Sequence, residues 1–391
     1  MTGATSQPAV DMQFESDADR AAARGDLAAA RALLEQATRN GPPRLQPWLK
    51  LSAICRGLGD LDGALAAVDG GLTVEPLGFM PLLLKANLLE ARGNTDEAGE
   101  IYGYALAQQP AEVPPQLRDM ADRARRFHSD FIDGKDRRLA AAQATISLDA
   151  REAARVDRFR TNIVRKTRPF HAEPTHFHYP GLREREFHDR QDFEWISRLE
   201  AATQAVIEDF HRVTAAERSE LVPYIQYPHN VPLRQWATLN HNRAWTAIHL
   251  IQNGRVIEAN ARHCPAIMNL LPGLDQPTIP GRGPNAMFSL LAPGAHIPPH
   301  NGVANTRLVC HLPLIVPPGC WFRVGDSRRE WTAGEAWVFD DTIEHEAMNG
   351  GGALRVILIV DTWHPDLSPA ERGAIGAVMA ATDPPGAAES R

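Results

Sequence analysis

From residue 245 onward the chain breaks into short, largely apolar runs separated by Gly and Pro: WTAIHLIQ, AMFSLLAP, TRLVCHLPLIV, CWFRVG, AWVFDD and LRVILIVDTWH. Such runs with turn residues between them predict the strands of a β sandwich or barrel. Alternation sends successive side chains to opposite faces of a strand. Arg307, Val309 and His311 therefore share one face, and Leu308, Cys310, Leu312 and Leu314 the other. Arg355, Ile357, Ile359 and Asp361 likewise share a face. Arg355 thus stands in a run that otherwise reads as core, and a buried guanidinium without an anion is costly. Its partner is either an internal carboxylate, such as Asp361 or Asp340, or the carboxylate of a ligand gripped by the guanidinium fork.

The N-terminal third has another rhythm. Gly25, Gly59 and Gly93 recur every 34 residues; Ala30, Ala64 and Ala98 follow five residues after each, and Pro42, Pro76 and Pro110 seventeen after. This period and these small residues are the signature of tetratricopeptide helix pairs. The glycine lets the chain turn between helices, the alanine lets them touch, and the proline ends the second helix. An α-solenoid is predicted over residues 14–128, its first repeat either lacking a complete first helix or starting near Phe14, and a polar closing helix running from Pro114 to about Phe127. Such an array offers a concave surface to a peptide or protein partner, or serves as a dimerisation or spacer module. The charged, Ala-rich stretch 129–170 predicts a helical connector. The segment PFHAEPTHFHYPGL then marks a change of composition. A second, mostly β domain is expected over 171–370, with an amphipathic helix from about Asp192 to His211. The tail 383–391 is expected to be disordered.

Composition adds limits. With 41 Lys+Arg against 48 Asp+Glu the net charge is −7, which disfavours a generic nucleic-acid binder. Cys55, Cys264, Cys310 and Cys320 show no CxxC spacing and read as buried thiols. The N-terminus lacks a basic start followed by an apolar stretch, and no apolar run is long enough to span a bilayer. A cytoplasmic location without a membrane segment is the expectation.

Histidine carries the candidate chemistry. His171, His176 and His178 lie in a loop-like stretch without acidic or Cys partners and read as surface. His300 follows Pro298-Pro299 at the start of a loop, and His345 follows a strand end in FDDTIEHEAMN. Histidines placed there face the mouth of a small barrel, and neutral imidazole suits Fe(II), Zn(II) or Cu(II). A two-His-one-carboxylate iron site would put Asp or Glu two residues after the first histidine, but Gly302 stands there. Asp340 and Asp341 are candidates either for a third metal ligand or for support of the histidines. His296 reads as loop support, Trp363-His364-Pro365 as closing the fold, and Arg323, Arg328 and Arg329 as a solvated hairpin.

From Tyr179-Pro180-Gly181-Leu182 to His364-Pro365 the chain resembles the aspartyl/asparaginyl β-hydroxylase family. The carriers include Pro293-Gly294-Ala295-His296, His300, Gly302, Asn305, Arg307-Leu308, His311-Leu312, Phe339-Asp340-Asp341, Glu344-His345-Glu346, Arg355 and Trp363-His364-Pro365. The stretch 254–274 is also similar, and tetratricopeptide arrays are a familiar companion of this domain. The resemblance implies a double-stranded β-helix (jelly-roll) oxygenase using Fe(II), 2-oxoglutarate and O2. It implies His300 and His345 as the only protein ligands to iron, so Gly302 is accommodated. Arg355 and Ser289 would hold the distal carboxylate of 2-oxoglutarate, and His311 would contact its keto-acid end. Val309 departs from the pattern: animal members carry an arginine there. Arg307, on the same face, is the candidate substrate contact. The implied activity is hydroxylation of an aspartyl/asparaginyl-type side chain of a peptide or protein recruited by the repeats. The same chemistry on a lipid acyl chain or small molecule, and a non-catalytic scaffold, are the alternatives.

Overall fold

The computed structural model describes residues 7–40, 42–216, 222–228, 230 and 233–382; the tail 383–391 lies outside the described residues. The chain divides into two compact units, Met1–Thr167 and Arg168–Arg391.

The first unit is helical: α1 (Gln7–Ala23), α2 (Leu27–Asn40), α3 (Leu45–Gly57), α4 (Leu61–Val74), α5 (Phe79–Ala91), α6 (Thr95–Ala107), α7 (Arg118–Gln143) and α8 (Ala150–Ile163). Three helix pairs follow the 34-residue period. Gly25, Gly59 and Gly93 turn the chain at φ +81°, +78° and +87°, a region that only glycine enters cheaply. Ala30, Ala64 and Ala98 are fully buried where the paired helices meet. The first repeat differs from expectation, because α1 is a complete first helix. Among its described side chains it buries only the small Ala18 and Ala21, so its sequence carries little apolar signal.

The closing helix also extends beyond its expected end. α7 runs on to Gln143 and packs on α6 so closely that a side chain on Gly99 would overlap the Phe131 ring. Arg160 and Lys166 pair with Asp136, and Lys166 also with Asp133, which ties α8 and the segment after it to α7. The charged stretch therefore packs with the repeats. No described helix is long and apolar enough to cross a membrane.

The second unit opens with α9 (Ile196–Ala201) and α10 (Thr203–Ala215), so the single helix expected from Asp192 is interrupted at Ala202. The strands are β1 (Val222–Pro223), β2 (Trp245–Gln252), β3 (Arg255–Val256), β4 (Ala286–Leu291), β5 (His296–His300), β6 (Arg307–Ile315), β7 (Cys320–Val324), β8 (Ser327–Glu330), β9 (Trp337–Phe339), β10 (His345–Asn349) and β11 (Arg355–Trp363). Short helices α11 (Glu258–Ala261) and α12 (Pro265–Leu270) lie between β3 and β4, and α13 (Pro369–Ala381) follows β11. The major sheet has the order β1-β2-β4-β11-β6-β9, with β3 paired to β2; the minor sheet is β5-β10-β7-β8. All pairings among these strands are antiparallel, as in a jelly roll.

Strand parity decides what each face does. Leu308, Cys310, Leu312, Leu314, Val356, Leu358 and Val360 pack under α9, α10 and α12. The opposite parity, with Met287, Val309, Ile357 and Ile359, faces Phe322, Val324 and Ala347 of the minor sheet. At one end Trp363 and Leu367 pack with Ile375 and Met379 of α13 and with Phe177, Tyr179 and Leu182. The Trp363 segment thus closes the domain.

Candidate active site

The two histidines sit on strands, not in the loops expected. In the β5–β10 ladder His300 and His345 are direct cross-strand partners. Pro298 and Pro299 hid β5 in the sequence; proline is tolerated there because β5 is an edge strand of the minor sheet. Their ring centroids lie 4.1 Å apart, and each residue is about 7% exposed. Nδ1 of His300 donates to the Pro298 carbonyl at 2.8 Å, and Nδ1 of His345 to the Ile343 carbonyl at 3.1 Å. A carbonyl only accepts, so each Nδ1 carries the proton and each Nε2 keeps its lone pair. Burial lowers both pKa values, to about 3 for His300 and about 4 for His345, so both rings are neutral near pH 7. A pair of neutral imidazoles with oriented Nε2 lone pairs fits a divalent transition metal.

Around them lies a cavity of about 200 Å³, lined among others by Ser289, Arg307, His311, Asp341 and Arg355. The inward parity of β4, β6 and β11 brings these side chains together from positions far apart in sequence. Arg355 is 2% exposed, and no carboxylate pairs with it among the described residues. Its Nη1 approaches Ser289 Oγ at only 3.5 Å, its Nε has no partner, and its guanidinium stands 5.1 Å over the Trp331 ring. Burial lowers its pKa to about 10, which leaves it charged near pH 7. Neither internal carboxylate considered from sequence serves it. Asp340 accepts from Thr342, while Asp361 faces Arg307. Ser289 Oγ accepts from Trp245 Nε1 at 3.0 Å, which leaves the hydroxyl proton free to donate. His311 is buried with Nδ1 unpartnered, and burial with the nearby Arg355 charge keeps it neutral. Arg355, Ser289 and His311 thus present unmet hydrogen-bonding capacity to one cavity, the chemistry a small dicarboxylate would satisfy.

Arg307 reaches the same cavity but is already held: Nη2 pairs with Asp341 at 2.9 Å and Nη1 lies 3.4 Å from Asp361. These carboxylates hold its pKa above the ordinary value despite burial. Asp341 also explains Gly302. An added Cβ there would overlap the Asp341 carboxylate, so this acid occupies the space above the glycine. Gly302→Asp is accordingly expected to destabilise the domain by about 2 kcal/mol through overpacking and like charge, rather than to rebuild a third ligand. Urea unfolding checks this; an unchanged midpoint with tighter metal binding contradicts it.

The aromatic wall was not legible beforehand. Tyr224 stacks on Trp245 at 3.8 Å between ring centroids, and Trp236 lies 5.1 Å from His300. Neither Tyr224 nor Trp236 falls in a run with readable parity. Of the remaining candidates, His171, His176 and His178 are exposed. His296 pairs with Glu346 at 2.8 Å, and Arg323 pairs with Glu344 and Glu346 rather than being free in solvent.

Residues 203–365 match the aspartyl/asparaginyl beta-hydroxylase family. Mouse aspartyl/asparaginyl beta-hydroxylase is 31% identical over 185 residues, which is 47% of this chain and 25% of that protein. The aspartate beta-hydroxylase domain-containing protein 2 of Xenopus tropicalis is 38% identical over 141 residues, 35% of this chain and 38% of that protein. The chain spans between 24% and 52% of the length of such relatives. In the helical unit, the Sgt2 TPR domain from Aspergillus fumigatus is similar at 16% identity and a TM-score of 0.27, over 30% of this chain and 77% of that one. The hydroxylase match contains the whole cavity strand set from β2 to β11.

Buried neutral histidines give the second unit a defined acid response. Burial lowers His188 to about 3 and His249 to about 4, alongside His300 and His345. Each contributes stability that is full above its unfolded pKa, about 6.5. That stability is lost as pH falls toward the folded values, because the unfolded chain binds the proton first. Asp340, raised to about 7 by burial, acts oppositely, losing stability as pH rises from about 4 to 7. His311 and His364 are lowered by burial as well and Asp361 is raised, so six histidines against two aspartates predict a metal-free domain that weakens between pH 6.5 and 4. Denaturant midpoints across that range check it, and a flat profile contradicts it.

Proposed function

We propose that the chain is an Fe(II)- and 2-oxoglutarate-dependent hydroxylase acting on an aspartyl/asparaginyl-type side chain of a peptide or protein, with the helical repeats recruiting that partner. The observation carrying this reading is the neutral His300–His345 pair beside a buried Arg355 that no carboxylate among the described residues pairs with. Fe(II) held by His300 and His345 would, with O2 and 2-oxoglutarate, supply hydroxylation of a C–H bond, one oxygen entering the product and the other succinate, with release of CO2.

The residues of the chain then have separate tasks. The Pro298 and Ile343 carbonyls fix the tautomers, so that both Nε2 atoms stay available as ligands. Arg355 and the Ser289 hydroxyl bind and orient the distal carboxylate of 2-oxoglutarate, and Trp245 fixes Ser289 as donor toward it. His311 lies within the same wall to contact the keto-acid end. Tyr224, Trp245, Phe322 and Phe339 exclude water from the cavity. A concave repeat surface fits a peptide partner.

Calorimetry tests the reading, with Mn(II) as the metal probe and 2-oxoglutarate added afterward. One Mn(II) per chain and metal-dependent 2-oxoglutarate binding are expected. With Fe(II) and O2, captured partner proteins should gain one oxygen by mass spectrometry. A chain that binds neither Mn(II) nor 2-oxoglutarate refutes the assignment.

A further inference from the structure

The charged groups around the histidine pair leave little room for an acidic substrate. Arg307, Arg355 and Asp341 are the charged side chains lining the cavity, among the described residues. On the proposed reading, Arg355 is taken by the cosubstrate. Arg307 is shared between Asp341 and Asp361, both buried, so its single positive charge already faces two carboxylates, with burial raising the Asp361 pKa against the pull of Arg307.

A second cavity, of about 380 Å³, adjoins the first through Tyr227, Val303 and Arg307, which line both. Asp361 and Thr306 lie on its wall. Its other arginine, Arg282, donates to the Met379 carbonyl and to the Thr382 hydroxyl. Three buried polar atoms of residues lining the two cavities lack a hydrogen bond: Asp341 Oδ1 in the first, Thr306 Oγ1 in the second, and Nη1 of Arg307, which lines both and has only the longer ion pair to Asp361. Thr306 and Asp341 are 2% and 7% exposed, so water does not readily serve them.

We propose that the second cavity admits the substrate and that the side chain brought to the histidine pair is a carboxamide, of the asparaginyl kind, rather than a carboxylate. This rests on the hydroxylase reading above. A carboxamide supplies N–H donors for Asp341 Oδ1 and a carbonyl acceptor for Thr306 Oγ1 or Arg307 Nη1. A carboxylate supplies acceptors only, leaves Asp341 unmet and adds a second like charge beside it. The carboxyl carbon of an aspartyl side chain is bonded to the β carbon, so a substrate carboxylate could not stay remote from this cluster while its β carbon reacts. Val309 strengthens the selection, since an apolar side chain stands between Arg307 and His311 on the inward face of β6.

The test uses the full chain and two degenerate peptide mixtures, alike except for a fixed central Asn or Asp. Mn(II) and 2-oxoglutarate binding are measured first, so that failure of the hydroxylase reading shows separately as absent cofactor binding. With Fe(II), 2-oxoglutarate and O2, the Asn mixture should gain one oxygen at least about tenfold faster than the Asp mixture. Asp361→Asn removes one negative charge while keeping the side-chain shape, and should raise Asp turnover relative to Asn turnover by about tenfold. Asp341→Asn should shift the ratio the same way, and covers the case in which Asp361→Asn does not fold. Cofactor binding with equal or faster oxygen gain in the Asp mixture overturns the inference, as does cofactor binding with no gain in either mixture.

Discussion

Replacing His345 with alanine is expected to weaken Mn(II) binding by more than about a hundredfold and to bring metal-dependent succinate formation to background. On the proposed reading two imidazoles are the protein ligands, so the metal would lose half of its protein donor set at once. The fold should survive the change. His345 is neutral in the folded chain, so no buried countercharge is stranded, and truncation leaves a gap in a cavity that is already open. The expected stability cost is about 1–3 kcal/mol. Two controls isolate ligation from burial. His188 is a buried, neutral histidine outside the cavity lining, and His188→Ala should keep Mn(II) affinity. His311→Ala, inside the cavity, should keep Mn(II) binding and weaken 2-oxoglutarate instead. Wild-type Mn(II) affinity in His345→Ala, measured by calorimetry on folded protein, removes the basis of the metal assignment.

Arg355→Met is expected to separate stability from function. Arg355 is a buried cation beside a serine hydroxyl and an indole face, with no acid among the described residues to balance it. An apolar side chain of similar length avoids the desolvation cost, so the variant should be more stable than the parent by about 1–3 kcal/mol without ligand. It should also lose 2-oxoglutarate binding. A ligand at a hundred times its Kd stabilises the parent by about 2.7 kcal/mol, and the variant should gain nothing. Thermal unfolding with and without Mn(II) and 2-oxoglutarate reads both effects. A destabilised Arg355→Met means that Arg355 is a structural residue. A ligand-induced rise in Tm equal to that of the parent means that 2-oxoglutarate binds elsewhere.

Much of this was legible in the chain. The 34-residue period survives because glycine, alanine and proline each act through their own backbone or volume, independently of distant contacts. Each of the six apolar runs became a strand, because runs buried on both faces leave little alternative. Parity on β6 and β11 correctly put Arg307, Val309, His311 and Arg355 on one side, since the period of two is local geometry. The strands carrying His300 and His345 were not legible. His296–His300 contains two prolines, and His345–Asn349 is too short and mixed for a periodic signal. They are strands because the neighbouring β7 and the edge position in the minor sheet allow it.

The sequence by itself determined the repeat period, the inward parity of the β strands and the presence of one arginine with no place among apolar neighbours. Those properties follow from spacing along the chain. Tertiary structure decided the rest. It gave Asp361 and Asp341 to Arg307, left Arg355 without an acid among the described residues, placed Asp341 over Gly302 and set His300 opposite His345. Which charges pair depends on sheet order and register, since electrostatic partners are chosen by distance in space. β11 lies between β4 and β6, so Ser289, His311 and Arg355 come to one wall although they are spread over 67 residues.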